Sequence, residues 1–372
     1  MRIMHVVNSL SGGGAENMVV ALAWAQQRAG HCVTVTTINA EVTAYEEQIH
    51  RRLSNCGIAV HSAHRRRGSL WSTLTALVKL NRLLRRCRPD IVNTHLQLSH
   101  TLTGVARLMH AGSADHRWRH VVTIHNAPER WSVLCRYLNQ GRAIAYCSEV
   151  AYRAHPGLSK AGIVITNGVD TPGQLGDPLP AKPSLTRLLG LPTEAILVVS
   201  VGSVRADKNY PVAVRAVAKV RQETGQNLHY VICGREADGA GPARLAVQDL
   251  RAQDYIHFLG LRSDARDIMA VADCYLSASV REGLPLAVLE ALFAGLPCVL
   301  SPIPAHRDIA TSVPGCHVAE FNEPESLAGE LIDALGRRYD TRRLLQLREP
   351  LLRDYGIERC AREYLAFYES LL

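Results

Sequence analysis

An α/β protein with two doubly wound parallel-sheet domains is the fold this sequence predicts, and three observations predict it. Short apolar runs alternate with amphipathic stretches of helical period along nearly the whole chain. A segment dense in proline and glycine, 171–184, divides that alternation into two sets. The length, 372 residues, exceeds what one hydrophobic core usually supports. The expected boundaries are an N-terminal domain over 1–172, a linker over 173–183, a second domain over 184–354 and a last helix over 355–372.

In the first half, the apolar run 2–7 predicts a strand and leads through the glycine loop 12–14 into a helix over 17–29, closed by Gly30. A glycine loop before a helix lets backbone approach a phosphate closely, although G-x-G-x-x-G is absent. Residues 33–38 predict the second strand. The basic cluster Arg65, Arg66 and Arg67 precedes a helix over 70–87. There Leu70, Leu74, Leu77, Val78 and Leu84 keep helical spacing and are expected to face the sheet, with Lys79, Arg82, Arg85, Arg86 and Arg88 outward. Strands at 90–95 and 121–126 each end in a polar cluster with a histidine, His95 and His125. Strand C-termini are where open α/β sheets bind ligands. Runs at 143–147 and 163–165 complete this half.

The second half opens with a strand at 195–201 and a loop carrying Arg205 and Lys208, followed by a helix from 211 to 224. Arg binds phosphate oxygens bidentately and Lys acts as a mobile point charge, so both suit a diphosphate. Strands at 229–233, 256–259 and 274–278 follow, and then the stretch 281–295, R-E-G-L-P-L-A-V-L-E-A-L-F-A-G. In it Gly283 accepts unusual dihedrals, Pro285 suits a first helical turn and Gly295 ends the helix. Carboxylates, Glu282 and Glu290, stand at both ends of this unit. The helix start favours an anion by about 0.3–1 kcal/mol, so the two glutamates are better suited to accept hydrogen bonds from hydroxyls than to meet phosphate. A strand at 298–300 and Arg- and Leu-rich helical sequence from 325 end the chain.

The net charge of +8 sits in the first half: residues 1–170 hold 20 Lys/Arg against 9 Asp/Glu. No nucleic-acid-binding motif accompanies the excess, so nucleic acid is not an expected partner. An anionic membrane surface or a phosphorylated acceptor fits it better. No apolar run approaches the ~20 residues of a membrane span, and no signal peptide is visible. The ten cysteines are scattered, without a C-x-x-C pair, and read as reduced core residues of a cytoplasmic protein.

Glu282 and Glu290, with seven residues between them in E-G-L-P-L-A-V-L-E, resemble the E-x7-E motif of glycosyltransferase family 4. G-G-G-A-E at 12–16, the histidines of N-T-H and T-I-H-N, N-G-V-D at 167–170 and V-G-S-x-R-x-x-K-N at 201–209 are similar to further motifs of that family, in its order. The resemblance covers nearly the whole chain. It implies a retaining, nucleotide-sugar-dependent hexosyltransferase of GT-B fold, with two Rossmann-like domains facing across a cleft and the final helix crossing back to the N-terminal domain. Residue by residue, it implies that Gly13 and Gly14 approach the donor diphosphate and that His125 hydrogen-bonds the transferred sugar. Arg205 and Lys208 would hold the diphosphate, Glu282 the sugar hydroxyls and Glu290 the ribose. Arg235 and Leu261 would line the base, and Gly283, Leu284 and Pro285 would form the turn over the donor.

No D-x-D stands at a strand end, so neither cofactor nor metal is expected, and Arg205, Lys208 and backbone N–H groups must meet the leaving charge. The expected donor is a UDP-sugar, with base and hexose left open. The expected acceptor is a lipid-linked or cell-surface glycan, reached by a cytoplasmic protein peripheral to the membrane in polysaccharide or lipopolysaccharide biosynthesis. A nucleotide-sugar epimerase of the same architecture would turn over donor without acceptor. A catalytically silent nucleotide-sugar-binding protein would bind without turnover.

Overall fold

A computed structural model describes residues 1–40, 43–66, 68–110, 118–125, 131–155, 162–170, 186–187, 190–192, 194–336 and 348–372. The linker 173–183, Arg67 and Asn126 lie outside the described residues. The chain forms two compact units, Met1–Gly168 with Tyr355–Leu372, and Val169–Asp354.

The first unit is a seven-stranded sheet of β1 (Arg2–Val7), β2 (Cys32–Asn39), β3 (Ala59–Arg65), β4 (Ile91–His95), β5 (Arg119–Ile124), β6 (Ala143–Tyr146) and β7 (Ile163–Val164). Their order is β3-β2-β1-β4-β5-β6-β7, and every neighbouring pair is parallel. Strands covered on both faces must be apolar on both, which is why β1 reads as an unbroken run with Ile3, Met4, Val6 and Val7 all buried. Among the described residues six helices join them: α1 (Gly14–Arg28), α2 (Ala44–Asn55), α3 (Leu70–Cys87), α4 (Gln97–His110), α5 (Val133–Asn139) and α6 (Glu149–Arg153). Met4 and Val6 pack with Leu80, Leu84 and Leu102 of α3 and α4 on one face. Val7, Val33 and Val35 pack with Val19, Ala23, Ile49 and Leu53 of α1 and α2 on the other.

Helix α1 begins three residues earlier than the periodicity predicts. The Glu16 carboxylate folds back to accept the Gly13 N–H at 2.7 Å, and this cap fixes the start. Helix α3 spans the expected residues, but its apolar stripe is split. Ala76, Leu80 and Leu84 are buried against the sheet, whereas Leu70, Trp71, Leu74 and Val78 are exposed, the first two by 84% and 80%. The expectation that Leu70, Leu74 and Val78 face the sheet is therefore corrected: the apolar arc is wider than the contact the sheet offers, and the small Ala76 occupies its centre.

The C-terminal helix α14 (Ile357–Glu369) packs on this unit. Ile357, Cys360, Tyr364 and Tyr368 are buried; the Tyr368 hydroxyl accepts from Asn93 Nδ2 at 2.7 Å, and Arg359 donates to the Thr166 carbonyl at 2.5 Å. Gly168 makes the close approach possible, because a Cβ there would lie 2.6 Å from Ile357 Cα and 2.8 Å from Cys360 Cβ. Gly168→Ala is expected to destabilise this unit by about 1–3 kcal/mol through overpacking. A denaturation midpoint equal to wild type would contradict that packing.

The second unit is a six-stranded parallel sheet of β8 (Ile196–Val201), β9 (Leu228–Cys233), β10 (Ile256–Gly260), β11 (Cys274–Ser277), β12 (Cys298–Leu300) and β13 (Cys316–Val318). The order is β10-β9-β8-β11-β12-β13, reversing between β8 and β11. Helices α7 (Tyr210–Thr224), α8 (Ala240–Asp249), α9 (Ala265–Val271), α10 (Leu286–Phe293), α11 (Pro304–Ser312), α12 (Pro324–Gly336) and α13 (Arg348–Tyr355) complete it. Val198, Tyr230, Leu276 and Val299 of the sheet pack with Val214, Val217, Leu327 and Leu331 of α7 and α12.

Helix α10 differs in detail from its expected form. Pro285 precedes the helix at φ −80°, ψ 80°, and its carbonyl accepts from Val288 and Leu289 at 3.0 and 3.2 Å. Gly295, at φ 81°, ends the helix. Because the helix is only 8 residues long, Glu290 lies within it, not at its end. Among the described residues no helix is long and apolar enough to cross a membrane.

Candidate active site

Ligand sites in open α/β sheets form beyond the strand C-termini where the strand order reverses. In the second unit that point lies between β8 and β11. The loop after β8 carries Arg205 and Lys208 through a short 3-10 turn, Ala206–Lys208; the loop after β11 carries Glu282. Val280 N–H donates to the Asp207 carbonyl at 2.9 Å and ties the two loops together.

The Lys208 ammonium donates to Glu282 Oε1, and Ser279 Oγ donates to the same oxygen at 2.8 Å. Both side chains are mostly shielded, at 26% and 14% exposure. Ser279 is held in turn, its carbonyl accepting from the Ser301 hydroxyl at 2.5 Å. Arg205 is half-exposed and donates to Asp207 Oδ2 at 2.8 Å. The loop bearing it is seated against Gly239, where a Cβ would lie 2.4 Å from the Arg205 carbonyl carbon. Gly239→Ala is therefore expected to displace Arg205 and raise KM for a diphosphate-bearing substrate. An unchanged KM would show that this loop tolerates the shift.

The remaining sequence-predicted residues of this unit divide into two groups. Gly283, Leu284 and Pro285 form the turn between Glu282 and α10, and Leu286 N–H closes onto the Leu284 carbonyl at 3.0 Å. Arg235 and Leu261 follow the ends of β9 and β10, whose loops are joined by the Gly234 N–H donating to the Gly260 carbonyl at 2.8 Å. The Arg235 side chain is exposed.

Glu290 is engaged by a residue the sequence reading did not single out. Arg266 of α9 donates from Nη2 and Nε to Glu290 Oε1 at 2.9 and 3.3 Å, and from Nη1 to Asp170 Oδ2 at 3.3 Å. Burial acts to lower the guanidinium pKa, but the two shielded carboxylates flanking it together outweigh that and hold it above the usual value. Asp170 comes from the N-G-V-D segment and Arg266 from S-D-A-R-D, with nothing in either local pattern linking them.

In the first unit the order reverses between β1 and β4. Gly13 and Gly14 lie at the start of α1, just after β1. The Glu16 carboxylate that takes the Gly13 N–H also accepts from Ser9 at 2.7 Å, so acceptor oxygens already occupy this turn. His125 follows β5 and is buried. Its Nε2 meets His95 Nδ1 at 2.9 Å, His95 Nε2 meets His5 Nδ1 at 3.1 Å, and His5 Nε2 meets Gln26 Oε1 at 2.8 Å. On its other side His125 Nδ1 meets Asn167 Nδ2 at 3.3 Å. Desolvation pushes His5 and His125 down to about 4, and His120 to about 3. These rings fold neutral, while the unfolded chain protonates them from their ordinary value of 6.5 downward. Stability is therefore fully present above about pH 6.5 and is lost as the pH falls toward 4. Denaturation midpoints measured over that window are expected to fall steadily; a flat profile would contradict the burial.

Among the described residues no group of three or more His, Cys, Asp or Glu is placed to hold a metal ion. What the second unit presents instead is two cations and two carboxylates around the end of a parallel sheet, an arrangement suited to phosphates and hydroxyls.

Comparison with known proteins bears on the family and the fold. Residues 12–172 match the family model described as Glycosyltransferase Family 4, and residues 195–337 match the model described as Glycosyl transferases group 1. The chain is 27% identical over 284 residues to the UDP-Gal:alpha-D-GlcNAc-diphosphoundecaprenol alpha-1,3-galactosyltransferase of Escherichia coli, covering 71% of each chain. Its fold is similar to that of Anabaena Alr3699/HepE, solved with UDP and glucose, at a TM-score of 0.78 and 16% identity over the full length of both chains. It is also similar to the sucrose-phosphate synthase of Thermosynechococcus elongatus, at a TM-score of 0.75 and 16% identity, covering 100% of this chain and 99% of that one. These likenesses show the fold, GT-B, with two parallel-sheet α/β domains. With both halves matched in order to glycosyltransferase models, and the E-x7-E pair in place, this protein belongs to the family 4 group of glycosyltransferases.

Proposed function

We propose that the protein is a retaining, metal-independent hexosyltransferase that moves a sugar from a UDP-sugar to a lipid-linked or cell-surface glycan. The observation that carries this reading is the Lys208–Glu282 pair at the sheet reversal, with Arg205 on the same loop. A glycosyl diphosphate has one end that needs cations and another that offers hydroxyls. Lys208 and Arg205 would take the phosphate oxygens and stabilise the charge that grows as the glycosidic bond breaks. Glu282, held by Lys208 and Ser279, would accept from sugar hydroxyls. A carboxylate engaged by an ammonium and a hydroxyl is a poor nucleophile. Retention is therefore assigned to front-face attack, in which a leaving phosphate oxygen takes the acceptor's proton. Glu290, oriented by Arg266, has its other oxygen for the ribose hydroxyls. His125 of the first unit would meet the transferred sugar. Two fixed cations supply what a divalent ion would otherwise supply, so EDTA should leave turnover unchanged.

The test is UDP release from a UDP-hexose, with and without a sugar-diphosphate lipid acceptor, and with the anomeric configuration of the product determined. Acceptor-dependent release with retained configuration is expected. Turnover without acceptor and without UDP release would favour the epimerase, and nucleotide binding without turnover the silent protein. The donor is favoured by the UDP-bound neighbour and the acceptor by the undecaprenol-linked substrate named for the E. coli relative.

The lipid-linked acceptor also accounts for the surface of the first unit. Leu70, Trp71 and Leu74 of α3 and Val133, Leu134 and Tyr137 of α5 are exposed. The helices α3, α4 and α5 carry no acidic residue, while Lys79, Arg82, Arg85, Arg86 and Arg136 are exposed on them. Apolar side chains among cations suit an anionic lipid surface, where each basic residue contributes ~1 kcal/mol. This would make the enzyme peripheral on the cytoplasmic face of the membrane. In liposome flotation, wild type is expected to rise with anionic vesicles and the W71S/L74S variant to stay in solution. Equal flotation on neutral vesicles would overturn the electrostatic part.

A further inference from the structure

We infer that Gln26, His5 and His95 are positioning residues that fix the tautomer of His125 through a single-file chain of hydrogen bonds, leaving its Nδ1 as an acceptor. The inference rests on the reading that His125 serves the reaction. The chain has four links: Gln26 to His5, His5 to His95, His95 to His125, and His125 to Asn167, at 2.8, 3.1, 2.9 and 3.3 Å. All five side chains are buried.

A neutral imidazole has one N–H and one lone pair. Each link between two rings holds one proton, so if one ring carries it on Nε2, the next must do so too. The three rings therefore share one tautomer, and only two arrangements of the whole chain satisfy every link. The ends decide between them. Gln26 presents Oε1, an acceptor, to His5 Nε2, and Asn167 presents Nδ2, a donor, to His125 Nδ1. Both ends independently demand the same arrangement, with the proton on Nε2 of all three rings. His125 Nδ1 is then a lone pair, able to accept from an N–H or from a hydroxyl that replaces it. An ordinary buried histidine needs one partner to be satisfied. Three in series between two correctly oriented amides do more: they tie what His125 offers to a distant glutamine on α1 as well as to its neighbour Asn167.

Proton counting supplies the test. With Asn167→Asp both ends become acceptors, four links then need four N–H groups, and three neutral rings supply three. Either one of the three becomes an imidazolium near pH 7, or Gln26 turns its amide to donate from Nε2 and all three ring protons move to Nδ1. Gln26→Glu keeps an acceptor at its end and preserves the wild-type tautomers. Gln26→Leu leaves Asn167 as the one anchor and keeps the tautomers, whereas the double variant Q26L/N167A removes both anchors and releases all three rings into mixed tautomers. Long-range nitrogen–proton correlation spectra of protein labelled at its histidine ring nitrogens read these states directly. The expected result is Nε2–H at His5, His95 and His125 in wild type, Q26E and Q26L, mixtures at all three in Q26L/N167A, and either Nδ1–H at all three or one imidazolium in N167D. Transferase kcat/KM should fall roughly tenfold in Q26L/N167A and much less in Q26L, a non-additive loss that packing alone would not give.

Mixed tautomers in wild type would overturn the inference, even if a variant failed to fold. So would His125 tautomers unmoved by Q26L/N167A, or Nε2–H kept at all three rings in N167D. The underlying reading fails separately: His125→Ala with full transfer activity would remove His125 from the reaction while the spectra still reported the chain.

Discussion

Lys208→Ala lowers kcat/KM for UDP-sugar transfer by roughly tenfold to hundredfold, the loss expected for one charge-assisted hydrogen bond of about 1.5–3 kcal/mol made to the departing diphosphate. The structure offers a competing role, because the Lys208 ammonium is seated on Glu282. A lysine that only neutralised Glu282 would be dispensable once Glu282 lost its charge. The double variant K208A/E282Q separates the two roles. If Lys208 binds phosphate, the double variant is at least as impaired as K208A, and Glu282→Gln alone also loses rate through its sugar contacts. Near-wild-type turnover in K208A and in E282Q would remove both residues from the catalytic machinery. Recovery in the double variant would reduce Lys208 to a counter-ion.

The second large effect is on stability. Arg266→Leu takes the cation away from two shielded carboxylates, Glu290 at 14% exposure and Asp170 at 3%. Removing one partner from a buried charge cluster costs about 3–5 kcal/mol, and the partial exposure of Arg266 itself, 32%, places the expectation near the lower end. Arg266→Lys restores the charge but not the fork, and should recover part of the loss. The same change loosens Glu290, so nucleotide affinity falls together with the denaturation midpoint. A variant as stable as wild type would mean that solvent already screens the cluster.

Much of this was legible in the sequence because it depends on local rules. The apolar run at β1, the extent of α3 and the glycine closing α10 follow from burial, periodicity and positive φ at Gly295. The two-sheet plan follows from their repetition. What the sequence reading missed depends on contacts between distant residues. Arg266 is one of 42 Lys and Arg residues, and only the fold brings it to Asp170, 96 positions away, and to Glu290. The histidine chain links residues 5, 95 and 125, which sit on β1, on β4 and after β5; strand order makes them neighbours, and no spacing rule records it. Glu16 was read as part of a glycine motif, yet its carboxylate turns back on the Gly13 amide, a choice set by capping geometry. On α3 the periodicity was right and the inference from it was wrong. Helical spacing locates an apolar arc, but the area a sheet can cover decides how much of that arc is buried.

The central claim is a nucleotide-diphosphate site built on Lys208, Arg205 and Glu290 that works without a metal. Calorimetric titration of wild type and K208A with UDP, in EDTA and again in magnesium, tests it most directly. Micromolar binding to wild type is expected, about −8 kcal/mol, equal in the two buffers and at least tenfold weaker in K208A. No binding to wild type, binding only with magnesium, or equal affinity in K208A would contradict it.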